Sequence, residues 1–480
     1  MTHPVNNCLV EKSWCLADMS KSKVYLVGAG PGDPELITLK GYRLISRADV
    51  ILHDHLIPPE LLELARPGAE VISVGKFASE HTLPQDEINN LLLEKARAGN
   101  IVVRLKGGDP YLFGRGGEEA EACAEAGVRF EVVPGITSAL AAACYAGIPP
   151  THRDYTPNLA IITGHRREDK KLDIPKAGTL IFLMGVANVE KIVNSLLKQG
   201  WPRDTKIAAI EKGTRYDQRV VKGTLDDFLE VAEKAQLRKP AIFIVGKVVG
   251  LQEKLDWFGT KPRILLPGTH PEKYKHLGTI IHRPFIKLVP LEDYTAADAV
   301  LKDLAPYDWI VFTSTNGVKF FFERLNAIGL DTRALGSNKV AAIGATTTEA
   351  LREFGVLADM QPELESSAGL LEEFGKVGVK GCKILLVKPE VGSPALFERL
   401  TAAGAEVEVV VVYKNIDVEP EPTDFDYIDQ ILFTSASTVR AFIKRFKTVP
   451  PGPKVYCLGQ PTLDEAAKHN IKAEILPPEK

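Results

Sequence analysis

The sequence has 480 residues, of which 45% are hydrophobic and 25% are charged. This composition is typical of folded globular proteins and excludes a largely disordered chain, while the length predicts about three domains. The 59 lysines and arginines balance 62 aspartates and glutamates to a net charge of −3, which argues against a general nucleic-acid-binding protein because such proteins need a basic surface.

The chain also lacks the patterns of membrane, secreted and metal-binding proteins. It has no uninterrupted run of about 18 apolar residues, so we expect no membrane-spanning helix. Its six scattered cysteines form no CxxC pair and no Cys/His cluster, which predicts neither a metal site nor a disulfide framework. Residues 1–20 lack the apolar core of a secretion signal, and we interpret them as an N-terminal extension. We therefore expect a cytoplasmic protein.

Short β-branched runs alternate with helical segments from Val24 onward, which predicts an α/β fold with a largely parallel first sheet. The first predicted strands are Val24–Val27, Val50–Leu52, Val71–Val74, Ile101–Leu105 and Phe130–Val133. The predicted helices between them include Glu35–Ser46, Gln85–Ala98 and Gly117–Ala126. After prolines at positions 149, 150 and 157, a second series predicts strands Leu159–Ile162, Thr179–Leu183, Lys206–Ile210 and Ala241–Val245. We place the main domain boundary at residues 257–262.

The remaining part contains an internal repeat. Residues 310–324 and 431–445 both read as an apolar strand, Phe-Thr-Ser, and a helix with Val, Phe and Arg at matching offsets. Residues 343–347 and 458–462 share a glycine and a threonine three positions apart. A repeat after about 120 residues predicts two α/β lobes of similar plan. Such Ser/Thr-rich loops cap helices or bind anions, and their recurrence at four matched places favours a ligand cleft between the lobes.

Glycine-rich turns follow several predicted strands of the first part. The turn at residues 28–33 resembles a dinucleotide-binding fingerprint, but Asp33 replaces its third glycine and Pro31 removes a backbone donor. It therefore favours close approach of the backbone to a neutral or cationic ligand over a phosphate. The segment 104–119 is more distinctive, since Gly107 and Gly108 precede Asp109, and a second turn presents Arg115 before a helix. A loop whose glycines serve only to allow left-handed backbone angles would not explain the whole of this pattern.

These motifs resemble those of known families. The sequences GAGPGDP, RLKGGDPYLFGRGGEE, VPGITS, FLMG and EKGTR, spread from Val24 to Val249, are similar to those of the tetrapyrrole methylases. Within that group, the positions of Asp54 and Lys76 resemble uroporphyrinogen-III C-methyltransferases. Residues 262–480 resemble uroporphyrinogen-III synthases, on the basis of the repeated Phe-Thr-Ser loops and Tyr413.

The first resemblance implies a two-lobed tetrapyrrole methylase fold that binds S-adenosylmethionine between its lobes. The implied cofactor-binding residues are Pro31, Gly107, Gly108, Asp109, Leu112, Thr137, Ser138, Met184 and Gly213. Asp54 is then the proton acceptor and Lys76 the proton donor, although each could be a surface ion pair, and Met184 could be an ordinary core residue. Arg115 would hold substrate carboxylates with its planar fork. Residues 165–167, His-Arg-Arg, could contribute or form a solvated loop.

The second resemblance implies a duplicated, two-lobed, flavodoxin-like α/β unit that closes hydroxymethylbilane to uroporphyrinogen III with inversion of ring D. The candidate substrate-binding residues are Thr313, Ser314, Asn316, Thr346, Thr347, Thr434, Ser435 and Thr462. Tyr413 could assist departure of the hydroxyl group or could bridge a hinge between the lobes.

Together the resemblances predict a bifunctional enzyme that forms uroporphyrinogen III and methylates it at carbons 2 and 7 to precorrin-2, for sirohaem or cobalamin. We expect the methyltransferase at 21–260, with lobes 21–150 and 151–260. The synthase is expected at 262–480, with one lobe formed by 262–290 and 414–480 and the other by 291–413. We expect a homodimer that binds neither nucleic acid nor membrane. The alternatives are a methylase of another acceptor, such as RNA or protein, a nucleotide-dependent oxidoreductase, and a non-catalytic C-terminal binding module.

Overall fold

The computed structural model describes residues 24–75, 83–164, 173–391 and 394–477. The chain divides into two compact units, with the division between Pro262 and Arg263. Strands and helices alternate through both units, so the α/β class predicted from the sequence is confirmed. Within the residues that the structure describes, no helix is both long enough and apolar enough to cross a membrane.

The first unit begins with a parallel sheet of five strands. These are β1 (Val24–Gly28), β2 (Val50–His53), β3 (Glu70–Ser73), β4 (Val102–Lys106) and β5 (Phe130–Val133). Their order is β3-β2-β4-β1-β5. Strands β1 and β4 are buried along their whole length, as central parallel strands covered on both faces must be. Because all five strands run in the same direction, the turns that follow them share one edge of the sheet.

Five α-helices accompany this sheet in the described part of the chain. They are α1 (Leu39–Ile45), α2 (Pro59–Leu62), α3 (Gln85–Arg97), α4 (Gly116–Glu125) and α5 (Ser138–Tyr145). The bounds predicted for α3 and α4 are correct to within one residue. The predicted start of α1 at Glu35 is wrong, because Thr38 caps the helix by accepting the Gly41 N–H at 3.1 Å. A single 3-10 turn precedes that cap.

A second, mixed sheet completes the first unit. Its strands are β6 (Leu159–Thr163), β7 (Thr179–Leu183), β8 (Lys206–Glu211), β9 (Arg219–Thr224) and β10 (Ala241–Gly246), in the order β6-β7-β10-β8-β9. The pair β6 and β7 is parallel and the other three pairs are antiparallel. The helices are α6 (Val189–Lys198), α7 (Phe228–Lys234) and α8 (Gln252–Leu255). Strand β9 was missed in the sequence because Val221 is its single buried residue, which leaves no apolar run.

The second unit also contains two five-stranded sheets. Its strands are β11 (Arg263–Leu266), β12 (Thr279–His282), β13 (Ile286–Val289), β14 (Trp309–Phe312), β15 (Lys339–Ala342), β16 (Lys383–Pro389), β17 (Glu406–Asp417), β18 (Gln430–Phe433), β19 (Lys454–Cys457) and β20 (Glu474–Ile475). Its helices are α9 (Thr295–Leu301), α10 (Thr315–Ala327), α11 (Ala345–Glu353), α12 (Ser367–Val377), α13 (Ala395–Ala402), α14 (Ala436–Phe446) and α15 (Gln460–Lys468). The sheet orders are β12-β11-β18-β19-β20 and β13-β17-β16-β14-β15.

Strands β13 and β17, which pair with each other, lie next to the points where the chain crosses from one of these sheets to the other. Strand β13 is antiparallel to the end of β17, with Ile286 opposite Asp417 and Val289 opposite Lys414. The segments that repeat in the sequence fold alike in the two sheets. Each copy gives a strand and a helix, β14 with α10 in one sheet and β18 with α14 in the other. In both sheets the next strand of the repeat, β15 or β19, lies beside the first.

Candidate active sites

Three turns at the carboxyl edge of the first sheet pack backbone against backbone. A Cβ atom built on Gly135 would lie 2.1 Å from the carbonyl oxygen of Gly108, and one built on Gly28 would lie 2.5 Å from the Cα of Gly135. Gly30 and Gly108 exchange two backbone hydrogen bonds of 3.2 and 2.7 Å. A side chain at Gly28 or Gly135 would push the turns apart, whereas Gly30 and Gly108 have left-handed φ angles of 82° and 69°, which explains why glycine occupies these positions.

The adjacent Gly107 faces open space. It is exposed, and a Cβ atom built on it would meet no atom of the described residues within 4 Å. The nearest atoms to a Cβ on Gly108 are the Cα of Thr137, at 3.8 Å, and the backbone nitrogen of Ser138, at 3.9 Å. The structure therefore brings together four of the predicted cofactor residues beside an accessible stretch of backbone.

Asp109 links two of these turns through hydrogen bonds to its carboxylate. Its Oδ1 accepts the backbone N–H groups of Tyr111 at 2.9 Å and Leu112 at 3.1 Å, and its Oδ2 accepts that of Gly135 at 3.1 Å. One carboxylate thus ties the turn after β4 to the turn after β5. Because a carboxylate has about four acceptor positions, Asp109 can still accept one further donor.

Several bulky residues near these turns have left-handed backbone. The φ angles are 57° at Met184, 46° at Lys212 and 72° at Thr214 in the turns of the second sheet, and 54° at Phe113 and 59° at Arg115 in the first. Such angles cost energy for residues with a side chain and cluster at functional sites. Met184 directly follows the buried strand β7 and is 51% exposed. The alternative that Met184 is an ordinary core residue is therefore wrong.

The turn after β1 contacts the turn after β8. The backbone N–H of Asp33 donates to Oγ1 of Thr214 at 3.0 Å, and its carboxylate accepts the hydroxyl of Tyr145 at 2.7 Å. A Cβ atom on Gly213 would lie 2.3 Å from that of Ala142 in α5, so Gly213 lets this turn pack directly on the helix. These contacts join the glycine turns of the first sheet to those of the second.

Asp54, the predicted proton acceptor, lies at the end of β2 beside the Gly107 turn. Its Oδ1 accepts Nη2 of Arg104 at 2.5 Å, and its Oδ2 accepts the backbone N–H of Gly107 at 3.3 Å. Its side chain is 35% exposed, while that of Arg104 is 3% exposed. Asp54 is thus an accessible carboxylate held by a buried cation, which differs from a surface ion pair.

Some sequence predictions remain outside this geometry. Lys76 and residues 165–167 lie outside the described residues. Pro31 and Leu112 are half-buried in their turns, and Thr137 caps α5 through Oγ1, which accepts the Ala139 N–H at 3.3 Å.

Sequence reasoning did not single out Arg104 or Glu119. The available signal was two cations, Arg104 and Lys106, inside an otherwise apolar strand.

Arg115 precedes α4 and is exposed. Its guanidinium donates to both oxygens of Glu118, with Nε at 2.9 Å and Nη2 at 2.6 Å. This surface pair contributes little to stability and can open to an incoming carboxylate. Hydrogen bonding by Glu118 raises the pKa of Arg115 above its usual value, so the group stays cationic.

Replacing Arg115 by alanine is expected to weaken binding of the substrate that the resemblance implies, uroporphyrinogen III, at least tenfold, because a charge-assisted bond is worth about 1.5–3 kcal/mol. Binding of S-adenosylmethionine should change less than twofold. Titration calorimetry with each ligand measures both effects. Arg129→Ala is the matched control, since Arg129 is exposed at the opposite edge of the sheet, before β5. Equal losses for both ligands would remove Arg115 from the substrate site.

In the second unit, the predicted Ser/Thr loops lie at the ends of strands and cap the following helices. Ser314 caps α10 by accepting the Gly317 N–H at 3.0 Å, and Ser435 caps α14 by accepting the Thr438 N–H at 3.4 Å. Thr313 and Thr434 precede them and are half-buried. The capping role weighed from the sequence is therefore confirmed for both serines.

The other candidates differ in exposure. Thr346 is exposed, whereas Thr347 and Thr462 are buried in the first turns of α11 and α15. Asn316 lies at the start of α10, and its Nδ2 is 3.4 Å from Nε2 of His270, which follows β11 of the other sheet. This contact was not anticipated, because His270 stands 46 residues earlier.

Tyr413 is a buried residue of β17. Its hydroxyl lies 3.3 Å from Oγ of Ser314, and its ring stacks on Phe320 with centroids 5.0 Å apart. Burial raises the pKa of this phenol above its usual value, so the hydroxyl keeps its proton at neutral pH. Tyr413 thus links the loop after β14, which contains Ser314, to strand β17.

For the synthase activity that the resemblance implies, Tyr413→Phe is expected to slow cyclisation of hydroxymethylbilane at least tenfold, because the predicted proton donor to the departing hydroxyl group is lost. Stability should change by less than about 1 kcal/mol, because the ring and its stacking on Phe320 remain. Cyclisation is followed by the ratio of type III to type I product, and stability by thermal unfolding. A wild-type rate would leave Tyr413 with a structural role alone.

No group of three or more His, Cys, Asp or Glu side chains suited to a metal ion is present among the residues that the structure describes. The cysteines at positions 123, 144, 382 and 457 are free thiols.

Comparisons with known proteins match both units. Residues 23–229 match the family of tetrapyrrole (corrin/porphyrin) methylases, and residues 272–480 match uroporphyrinogen-III synthase HemD. The chain is 38% identical over 482 residues to the porphyrin biosynthesis protein HemD of Ruminiclostridium josui, which covers 95% of each. It is 52% identical over 233 residues to uroporphyrinogen-III C-methyltransferase of Priestia megaterium, covering 47% of this chain and 98% of the relative.

Among solved structures, uroporphyrin-III-C-methyltransferase from Thermus thermophilus is 43% identical and has a TM-score of 0.43. That comparison covers 49% of this chain and 96% of the other. The two family-model matches and the 38% identity over 95% of both chains confirm the family resemblance stated from the sequence for both units.

Proposed function

Because the chain belongs to the family that joins a tetrapyrrole methylase to a uroporphyrinogen-III synthase, we propose that its two units carry out consecutive reactions. The second unit closes hydroxymethylbilane to uroporphyrinogen III, with loss of water and inversion of ring D. The first unit methylates that product at carbons 2 and 7 to give precorrin-2. The main support is the 38% identity with a relative that spans 95% of both chains.

The residues around the Gly107 turn fit S-adenosylmethionine, which supplies the methyl group when bound. The open space beside Gly107 gives a ligand direct access to backbone, and Asp109 retains capacity for one more donor such as an ammonium or ribose hydroxyl. Met184 exposes an apolar side chain suited to pack against an adenine ring. A sulfonium compound carries no phosphate, so Pro31 does not interfere.

The acceptor is a porphyrinogen with eight carboxylates, and we assign Arg115 to one or more of them. The electron-rich pyrrole carbon attacks the methyl carbon as the sulfur–carbon bond breaks, so holding both partners in line supplies much of the rate. A proton then leaves the macrocycle, and we assign Asp54 as its acceptor. The support is its 35% exposed carboxylate next to Gly107. Lys76 remains the proposed donor.

The synthase reaction needs control of geometry more than a strong acid or base, because its intermediates are reactive. We propose that the loops after β14 and β18, with Ser314 and Ser435 at their helix starts, hold the bilane carboxylates through backbone N–H groups. Tyr413, whose hydroxyl reaches Ser314, donates to the departing hydroxyl group. Thr347 and Thr462 are not carried into this set because they are buried.

One reaction tests both activities. The purified chain receives hydroxymethylbilane and S-adenosylmethionine, and the products are identified by mass and absorbance. We expect a dimethylated type III product, and uroporphyrinogen III when the methyl donor is withheld. Type I product alone would leave the second unit as a binding module. Unmethylated type III product in the presence of the donor would assign the first unit to another acceptor.

We propose further that the enzyme acts as a cytoplasmic homodimer. Large apolar side chains on the first unit are exposed, Leu39 by 77%, Tyr42 by 46% and Leu56 by 56%, and a second copy of the chain is the occupant that would cover them. Light scattering during size-exclusion chromatography should give twice the mass of the chain. A monomer at micromolar concentration would contradict this assembly.

A further inference from the structure

Strand β4 carries two cations into the interior of the first unit. The side chains of Arg104 and Lys106 are 3% and 2% exposed, and both reach Oε1 of Glu119 in α4, which is fully buried. Both distances to Oε1 are 2.9 Å. Buried charges are costly unless they are paired, so a strand that keeps two of them points to a purpose other than stability.

We propose that Arg104 is a positioning residue for methyl transfer, which sets the orientation of the Asp54 carboxylate toward the porphyrinogen. The proposal rests on the proposed role of Asp54 as proton acceptor. Arg104 does not touch the substrate in this scheme. Its effect passes through the bond from its Nη2 to Oδ1 of Asp54.

The geometry leaves Arg104 little freedom. Its Nε donates to Glu119, and its Nη1 donates to the carbonyl oxygens of Leu105 at 3.2 Å and Leu52 at 3.5 Å. A guanidinium is planar and rigid, so fixing Nε and Nη1 also fixes the direction of Nη2. The fixed Nη2 then determines where one oxygen of Asp54 lies, and the Gly107 N–H determines the other.

The charge balance of Arg104, Lys106 and Glu119 also involves Asp54. Arg104 and Lys106 are two cations, while Glu119 supplies one buried anion, so the Asp54 carboxylate completes the balance. Burial and the nearby Arg104 lower the pKa of Lys106, whereas the carboxylates raise the pKa of Arg104 above its usual value despite its burial. Arg104 is consequently the permanent cation that faces Asp54.

The test measures methyl transfer by the full chain with Arg104→Lys, Arg104→Gln, Asp54→Asn and the corresponding double variants. Lysine keeps the charge but loses the fork. Glutamine removes the charge of residue 104 and leaves the ion pair between Lys106 and Glu119 intact. The glutamine variant therefore still tests the proposal if the lysine variant does not fold. Arg66→Lys is the matched control, since Arg66 pairs with Asp49 and the Ala48 carbonyl at the opposite edge of the same sheet.

We expect each Arg104 variant to lower kcat for methyl transfer at least tenfold, with the dissociation constant of S-adenosylmethionine unchanged within twofold. In the Asp54→Asn background, the same substitutions should change kcat less than twofold, because the group that they position is gone. Arg66→Lys should leave kcat unchanged. A purely structural role would reduce kcat equally in both backgrounds.

Two outcomes would overturn the proposal in distinguishable ways. If Asp54→Asn is slow while both Arg104 variants retain the wild-type kcat, the positioning role fails and Asp54 keeps its function. If Asp54→Asn itself retains the wild-type kcat, the proposed function of Asp54 fails and the positioning role fails with it.

Discussion

Asp109→Ala is expected to abolish methyl transfer and to leave the cyclisation of hydroxymethylbilane at the wild-type rate. The Asp109 carboxylate accepts three backbone N–H groups, from Tyr111, Leu112 and Gly135. Bonds to a charged acceptor are worth about 1.5–3 kcal/mol each. Losing them frees the turn after β4 from the turn after β5, and with it the backbone proposed to bind S-adenosylmethionine. We expect the affinity for this cofactor to fall at least 100-fold, which corresponds to about 2.8 kcal/mol.

Calorimetric titration of the cofactor and separate assays of the two reactions measure this effect in the full chain. Asp49→Ala is the control for a general loss of structure. Asp49 also accepts a backbone N–H, that of Ile101 at 2.6 Å, but does so at the opposite edge of the sheet. This control should lower stability and keep cofactor affinity within twofold. Loss of cyclisation in a folded Asp109 variant would contradict independent activities of the two units.

Glu119→Ala is expected to destabilise the first unit by about 3–5 kcal/mol, because it leaves Arg104 and Lys106 buried without their shared anion. At about 2–4 °C per kcal/mol for a domain of this size, the unfolding transition of the first unit should fall by about 10 °C. Differential scanning calorimetry of the full chain measures this shift. The transition of the second unit should stay in place.

The neighbouring residue provides the control for this prediction. Glu118 has a half-exposed side chain in a surface pair with Arg115, so Glu118→Ala should change the stability of the first unit by less than about 1 kcal/mol. Equal shifts for the two variants would mean that the buried charges are not coupled as the distances indicate. A stable Glu119→Ala protein would show that Lys106 can lose its proton and its charge at little cost.

The glycine-rich motifs of the first unit predicted where turns follow strands, and the structure shows why some of their positions require glycine. Gly28, Gly108 and Gly135 belong to three separate motifs, and each motif was recognised from its own residues and order. The strands between them are apolar enough to be predicted within a few residues. Strand β9 and the start of α1 were not, because the first has one buried residue and the second depends on the Thr38 cap.

The sequence by itself determined the α/β class, the two families and most of the turns that carry the candidate sites. These features follow from local patterns, since apolar periodicity, glycine and proline act over a few residues. The tertiary structure alone decided which oxygen of Asp54 meets Arg104, that Asp109 braces two turns, and that Met184 is exposed. Contacts between residues 50 positions apart depend on how strands pair, and strand pairing is a property of the whole sheet.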